Sequence, residues 1–375
     1  MNYKRYIAAA LIASLLLAGC GGKEESALSE PTPVPTAAVT EAAPTAKPTV
    51  SPAAEVTQEP VEEEEVLPAG MVRSYLTGEI VSEEIGRRRP VAVMINNIQA
   101  CLPQWGISHA GVIYEAPVEG GISRMMAVFE DYDDLERIGS VRSCRNYYIF
   151  YAAGFDAIYV HYGQSAYAVP YLELPEVNNL SGLAGYGDQI FYRTSDRQAP
   201  HNAYISGAGI NEGIEICGYS QEYPDDYQGY FQFAEDEAVE LENGSSARLV
   251  IPGGYDYNSP SFVYDPESGK YLRYQFGEPQ IDEETGEQLA FDNILIQNSA
   301  WEYYESGGYL NIHPDDPGTG VYITRGKAID VTWNKTEPWG PTYYYDPDGN
   351  QITLNQGKTW ICIVLDTYAD RTHIE

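Results

Sequence analysis

The sequence predicts an α+β protein: an N-terminal α/β domain with a mixed sheet, then an all-β, sandwich- or barrel-like C-terminal domain. Three observations point there. Short continuous apolar runs, the signature of strands buried on both faces, alternate with one helical run between residues 90 and 161. Beyond Asn243 the chain turns to short Tyr-, Val-, Ile- and Trp-rich runs separated by turn signals such as Tyr264-Asp-Pro-Glu-Ser-Gly269 and Tyr345-Asp-Pro-Asp-Gly349. Residues 1–85 have no core composition, which leaves roughly 300 residues for the folded part, enough for two ordinary domains.

The chain opens on an address. Lys4 and Arg5 precede an apolar run from Tyr6 to Leu17, too short to span a membrane and suited to a secretory signal peptide over residues 1–20. The run ends in Leu17-Ala18-Gly19-Cys20, a lipobox pattern, with Cys20 to carry a lipid thioether. The expected location is the extracytoplasmic face of the cell membrane, lipid-anchored without spanning it. Residues 21–85, rich in Pro, Thr, Ala and Glu, are expected to form a disordered tether.

Residues 86–240 make the N-terminal domain. Pro90 to Ile95 reads as a buried strand, with Asn96 and Asn97 at its carboxyl end, where ligands bind in open α/β sheets. Gly111–Ala116 and Ile122–Phe129 read as a hairpin around Glu119-Gly120-Gly121, with Arg124 on the second strand. Residues 137–163 then read as strand, helix and strand. Ser143 is a candidate N-cap, Cys144–Ala153 the helix, Gly154 its stop and Ala157–His161 the next strand. Arg142 and Arg145 flank the helix start, where backbone donors already favour an anion. Ser165 could cap a short helix through Leu172. The polar segment from Phe191 to Asn202 gathers Arg193, Asp196, Arg197, His201 and Asn202.

The formal net charge of −33 argues against nucleic acid or an anionic surface as a partner for the whole molecule. The positive charge is nonetheless focused: from Gly86 to Pro200 every Lys or Arg position is an arginine, and all lysines lie outside. Arginine presents a planar fork to phosphate or carboxylate. The expected ligand set is therefore Arg124, Arg142, Arg145, Arg193, Arg197, His161, His201, Asn202, Asn96 and Asn97. No metal spacing and no cofactor motif stands out. With Cys20 set aside, Cys101, Cys144, Cys217 and Cys362 allow two disulfides in three pairings, and Cys144 is a formal nucleophile candidate.

Residues 241–375 make the C-terminal domain, with strand candidates at 248–251, 261–264, 270–276, 293–297, 320–324, 328–333, 341–345 and 359–365. Its tyrosines and Trp301, Trp333, Trp339 and Trp360 suit cross-strand pairing, or a carbohydrate-stacking face.

The motifs Arg89-Pro-Val-Ala-Val-Met-Ile-Asn-Asn97, Gly121-Ile-Ser-Arg124, Gly139-Ser-Val-Arg-Ser-Cys-Arg145, Tyr159-Val-His-Tyr-Gly163 and Tyr192-Arg-Thr-Ser-Asp-Arg-Gln-Ala-Pro-His-Asn202 resemble the YerB-like bacterial lipoproteins. The resemblance implies an envelope lipoprotein, mostly of Gram-positive bacteria, with a separate C-terminal domain. It implies no activity. The topology around the arginines is also similar to that of the LytR-Cps2A-Psr phosphotransferases, in which arginines hold a polyprenyl pyrophosphate. Arg124, Arg142 and Arg145 could play that part. Three functions follow as expectations: an anion-binding module for phosphate, pyrophosphate or an anionic glycan; a phosphoryl or glycopolymer transferase with Asp156, Asp196 and Glu119 as base or metal ligand; or a protein-interaction scaffold acting through the β domain.

Overall fold

The computed structural model describes residues 67–304 and 308–375. The expected signal peptide, Cys20 and residues 21–66 of the tether lie outside the described residues. Residues 71–86, all but the last within the segment expected to be tether, carry regular structure. Met71–Arg73 pairs antiparallel with Ile80–Ser82, and a one-turn helix, Glu83–Gly86, follows.

The frame is one sheet of eleven strands. In chain order these are β1 (Val91–Asn96), β2 (Val112–Pro117), β3 (Ser123–Phe129), β4 (Ile158–His161), β5 (Asn179–Ser181), β6 (Ser245–Ser246), β7 (Asn293–Ser299), β8 (Gly318–Thr324), β9 (Lys327–Lys335), β10 (Thr342–Tyr345) and β11 (Thr359–Leu365). Their spatial order is β6-β9-β8-β7-β11-β2-β3-β1-β4-β5, with β10 also on β9. The α+β class holds, but the C-terminal strands do not form a closed barrel. β11 inserts parallel to β2, Thr359 opposite Val112, so residues 86–240 and 241–375 share one sheet.

The apolar runs explain the burial. Side chains alternate across a strand. Val91, Val93 and Ile95 enter one core, while Ala92 and Met94 enter the other. The first core is closed by α2 (Gly207–Cys217) and by a second, six-stranded sheet. Phe262 and Phe291 of that sheet meet Trp360 edge-on at 5.7 and 4.9 Å between ring centroids. The second core is closed by α1 (Asn146–Ala153), whose Tyr147, Tyr148 and Tyr151 are fully packed.

Several local expectations are corrected. α1 is preceded by Arg145 with no side-chain cap, and the Ser143 hydroxyl turns to the Tyr162 carbonyl instead. Gly154 is right-handed, and it is small because the Pro341 Cα would lie 3.2 Å from a Cβ there. The short helix is Val169–Leu172, entered from Ala168, so Ser165 does not cap it. All four cysteines of the described residues are free. Cys144 and Cys362 point into opposite cores, which forbids their pairing.

Candidate anion-binding site

The site forms where β1 and β4 diverge. These strands pair in parallel only from Val91–Ile158 to Val93–Val160. Past that point the extended segment 140–144 wedges between them. Arg142 N–H donates to the Met94 carbonyl at 2.9 Å, and the Arg142 carbonyl accepts from Tyr162 N–H at 3.0 Å. Gly163, at φ +92°, lets the backbone pass Ser143, whose hydroxyl would lie 2.8 Å from a Cβ. The wedge delivers Arg142 and Arg145 to the carboxyl end of β1. There Asn96 sits opposite Arg124 of β3.

Arg142 is the shared neighbour of the cluster: Arg124 feels Arg145 and Arg142, and Arg142 feels Arg145 and Arg193. Burial first, then the charges of Arg145 and Arg142, bring Arg124 down to about 10, still cationic at neutral pH. Arg142 is lowered mainly by burial, with Arg145 and Arg193 acting in the same direction. Arg124 is only 5% exposed and donates to the Ser143 carbonyl at 2.7 Å. Arg142 donates to the Pro200 carbonyl at 3.1 Å, and its buried Nε has no hydrogen-bond partner among the described residues. Arg193 lies 4.6 Å from the Tyr162 ring centroid. None of these three meets a carboxylate among the described residues.

The other expected members divide. Arg145 is gathered with the cluster but neutralised: its Nε and Nη2 both donate to Glu119, at 2.8 and 2.6 Å to Oε2. His201 belongs, with Nδ1 2.9 Å from the Asn96 amide nitrogen and its pKa lowered by burial and by Arg142. Asn202 is buried and acts by aim. Its Oδ1 accepts from Arg193 at 2.8 Å while its amide donates to the Thr194 carbonyl.

Three residues are placed elsewhere. Arg197 is a strut, donating to the Cys101 and Pro103 carbonyls at 2.7 Å each and pairing with Glu283. His161 is fully buried, Nδ1 donating to the Gly163 carbonyl at 2.8 Å, and burial lowers its pKa. Asn97 turns inward and donates to Glu115 and Ser123.

The acid and nucleophile candidates are likewise engaged. Asp156 pairs with Arg89, and Asp196 lies 3.9 Å from Arg137. Glu119 is held by Arg145. Cys144 is fully buried, and burial pushes its thiol up to about 12.

Sequence reasoning missed the polar hub beneath the site. Glu115 and Arg273 are fully buried and 2.6 Å apart. Arg273 lies against both Phe262 and Trp360, at 4.7 and 4.5 Å from the centroids. A carboxylate inside the apolar run of β2 was the available signal, because a buried charge calls for a partner.

Residues 76–220 match the family described as "Protein of unknown function (DUF3048) N-terminal domain", and residues 251–361 match its C-terminal domain. YerB of Bacillus subtilis (strain 168), whose name describes a lipoprotein, is 30% identical over 298 residues, covering 80% of this chain and 88% of YerB. The crystal structure of the YerB protein from Bacillus subtilis superposes with a TM-score of 0.72 at 29% identity, covering 81% of this chain and 99% of that one.

Proposed function

Since the chain belongs to the DUF3048 family of YerB-like lipoproteins, we propose that it is held to the membrane through Cys20 and binds an anionic envelope ligand at the arginine cluster. The lipobox and the apolar run before it support the anchor, with the folded part on the extracytoplasmic face. The ligand class is a phosphate, a pyrophosphate or an anionic glycan.

One observation carries the reading: Arg124, Arg142 and Arg193 meet no carboxylate among the described residues of a chain with net charge −33. Acidic side chains are abundant, yet carboxylates are placed on Arg145 and Arg197 and not on these three. Charge-assisted bonds from guanidinium to phosphate are among the stronger polar contacts. Asn96 and His201 add neutral polar groups at the same edge.

The test is calorimetric titration with pyrophosphate and with short anionic glycans. Arg142→Ala should weaken binding at least tenfold, about 1.4 kcal/mol for one lost charged hydrogen bond. Arg325→Ala is the control, because that arginine pairs with Glu240 in the C-terminal part. Equal affinities for both variants and the parent protein would end the proposal.

A further inference from the structure

The Glu119–Gly121 turn has two sides. On one, Glu119 holds Arg145. On the other lies a cleft of about 190 Å³ between that turn, Asp256, Trp301, Tyr303 and Tyr368. This is below the usual range for a drug-sized ligand. Gly120 and Gly121 both have positive φ and nothing within 4 Å of a built Cβ, so the turn leaves the cleft mouth open.

The aromatic wall is built and not incidental. Trp301 and Tyr303 lie on the same strand and meet edge-on, 5.0 Å between centroids at 82°. The Trp301 indole N–H donates to the Thr367 hydroxyl at 3.1 Å, which fixes its plane. Tyr303 remains 60% exposed, a large apolar face held in place without a cover among the described residues.

Charge decides the occupant. Glu119 and Asp256 are the charged residues lining the cleft, and both are spent in ion pairs, with Arg145 and Arg371. The cleft therefore offers no free charge. It offers aromatic faces beside polar rims, which suits a ligand with an apolar face and a hydroxylated edge. A pyranose ring has that shape and chemistry.

We propose that this cleft binds a neutral pyranose unit, so that an anionic glycan lies across the Glu119–Gly121 turn with its sugar on Tyr303 and its charge on the arginines. The inference deepens the anion-site reading, and its two halves fail separately.

The experiment titrates the folded protein with pyrophosphate and with neutral tetrasaccharides of N-acetylglucosamine, glucose in β-1,4 linkage and glucose in α-1,4 linkage. At least one neutral tetrasaccharide should bind saturably. Tyr303→Ala should weaken that binding at least fivefold and leave pyrophosphate affinity unchanged, while Arg142→Ala should do the reverse. Tyr303→Phe should retain tetrasaccharide binding, since the ring is the contact. No saturable binding by any neutral tetrasaccharide, or equal affinity in Tyr303→Ala, overturns the sugar cleft whatever pyrophosphate does. Loss of both ligands in Tyr303→Ala also overturns it, because the two halves would then not be separable.

Discussion

Replacing Glu115 by glutamine should be among the most damaging single-atom-scale changes in this protein. Glu115 Oε1 accepts from the Asn97 and Asn258 amides at 2.9 Å each and from the Ser123 hydroxyl at 2.6 Å. Oε2 accepts from Arg273 at 2.6 Å. Every group facing this carboxylate is therefore a donor. A glutamine would turn its own N–H₂ toward donors on one side and leave the Arg273 cation uncompensated at zero exposure. Breaking a buried pair from one side costs about 3–5 kcal/mol, a large share of a typical stability of about 5–15 kcal/mol. Urea unfolding followed by tryptophan fluorescence gives the change as a shift in midpoint at constant slope. The double variant Glu115→Leu with Arg273→Met removes both charges. It should recover part of the loss, and only part, because Asn97, Ser123 and Asn258 lose their shared acceptor, although Asn97 keeps its bond to Ser123 and Asn258 its bond to Gln275. A loss below about 1 kcal/mol for Glu115→Gln, or a double variant no more stable than the single, would refute the reasoning.

Glu119→Gln should act in the opposite sense on binding. It frees the Arg145 charge, and pyrophosphate affinity should rise about tenfold by calorimetry; unchanged affinity would remove Arg145 from the site. Two buried groups set the pH response. Burial lowers Lys335 from 10.5 to about 7, where its ammonium donates to the Phe150 carbonyl at the end of α1. From about 7 upward the unfolded chain holds a proton the folded chain has released, so stability rises with pH, and Lys335→Met should abolish that rise. Burial raises Glu130 from 4.5 to about 7, against the bond from Ser74 that lowers it. Between those values the folded chain holds the extra proton, so stability falls as pH rises, and Glu130→Gln should flatten that limb. Scanning calorimetry from pH 4.5 to 9 reads both, and parallel curves for parent and variants would contradict the assignments.

The strands of the N-terminal part were legible because their apolar runs are local and short. Pro90–Ile95 became β1 almost to the residue. The gathering of Arg124, Arg142, Arg145 and Arg193 was legible because a strand-to-helix junction brings short motifs to one sheet end. What no local pattern carries is the insertion of β11 beside β2, a pairing of segments at opposite ends of the folded chain. That pairing makes one sheet of what reads as two domains. His161 turns to Asn179 and the Gly163 carbonyl, and Asn97 was misplaced for a related reason. A polar residue at a strand end faces either solvent or a buried hub, and the hub here needs Glu115, Arg273 and Asn258 from distant segments.

The arginine cluster also answers why the fold tolerates it. Arg124 is buried beside two like charges, Arg145 and Arg142, and among the described residues it donates to the Ser143 carbonyl. A lysine there would be expected to lose its proton, because ammonium groups shift readily on burial, whereas guanidinium stays charged. A fixed, partly desolvated positive charge next to Arg142, which itself faces Arg193, raises the free energy of the empty site. An incoming anion lowers it by relieving the repulsion as well as by making bonds. Ligand binding should therefore stabilise the fold beyond what the new contacts alone contribute, and the gain should shrink as salt screens the cluster. A thermal shift on pyrophosphate addition that stays constant across salt concentrations would show that the charges are not what the ligand meets.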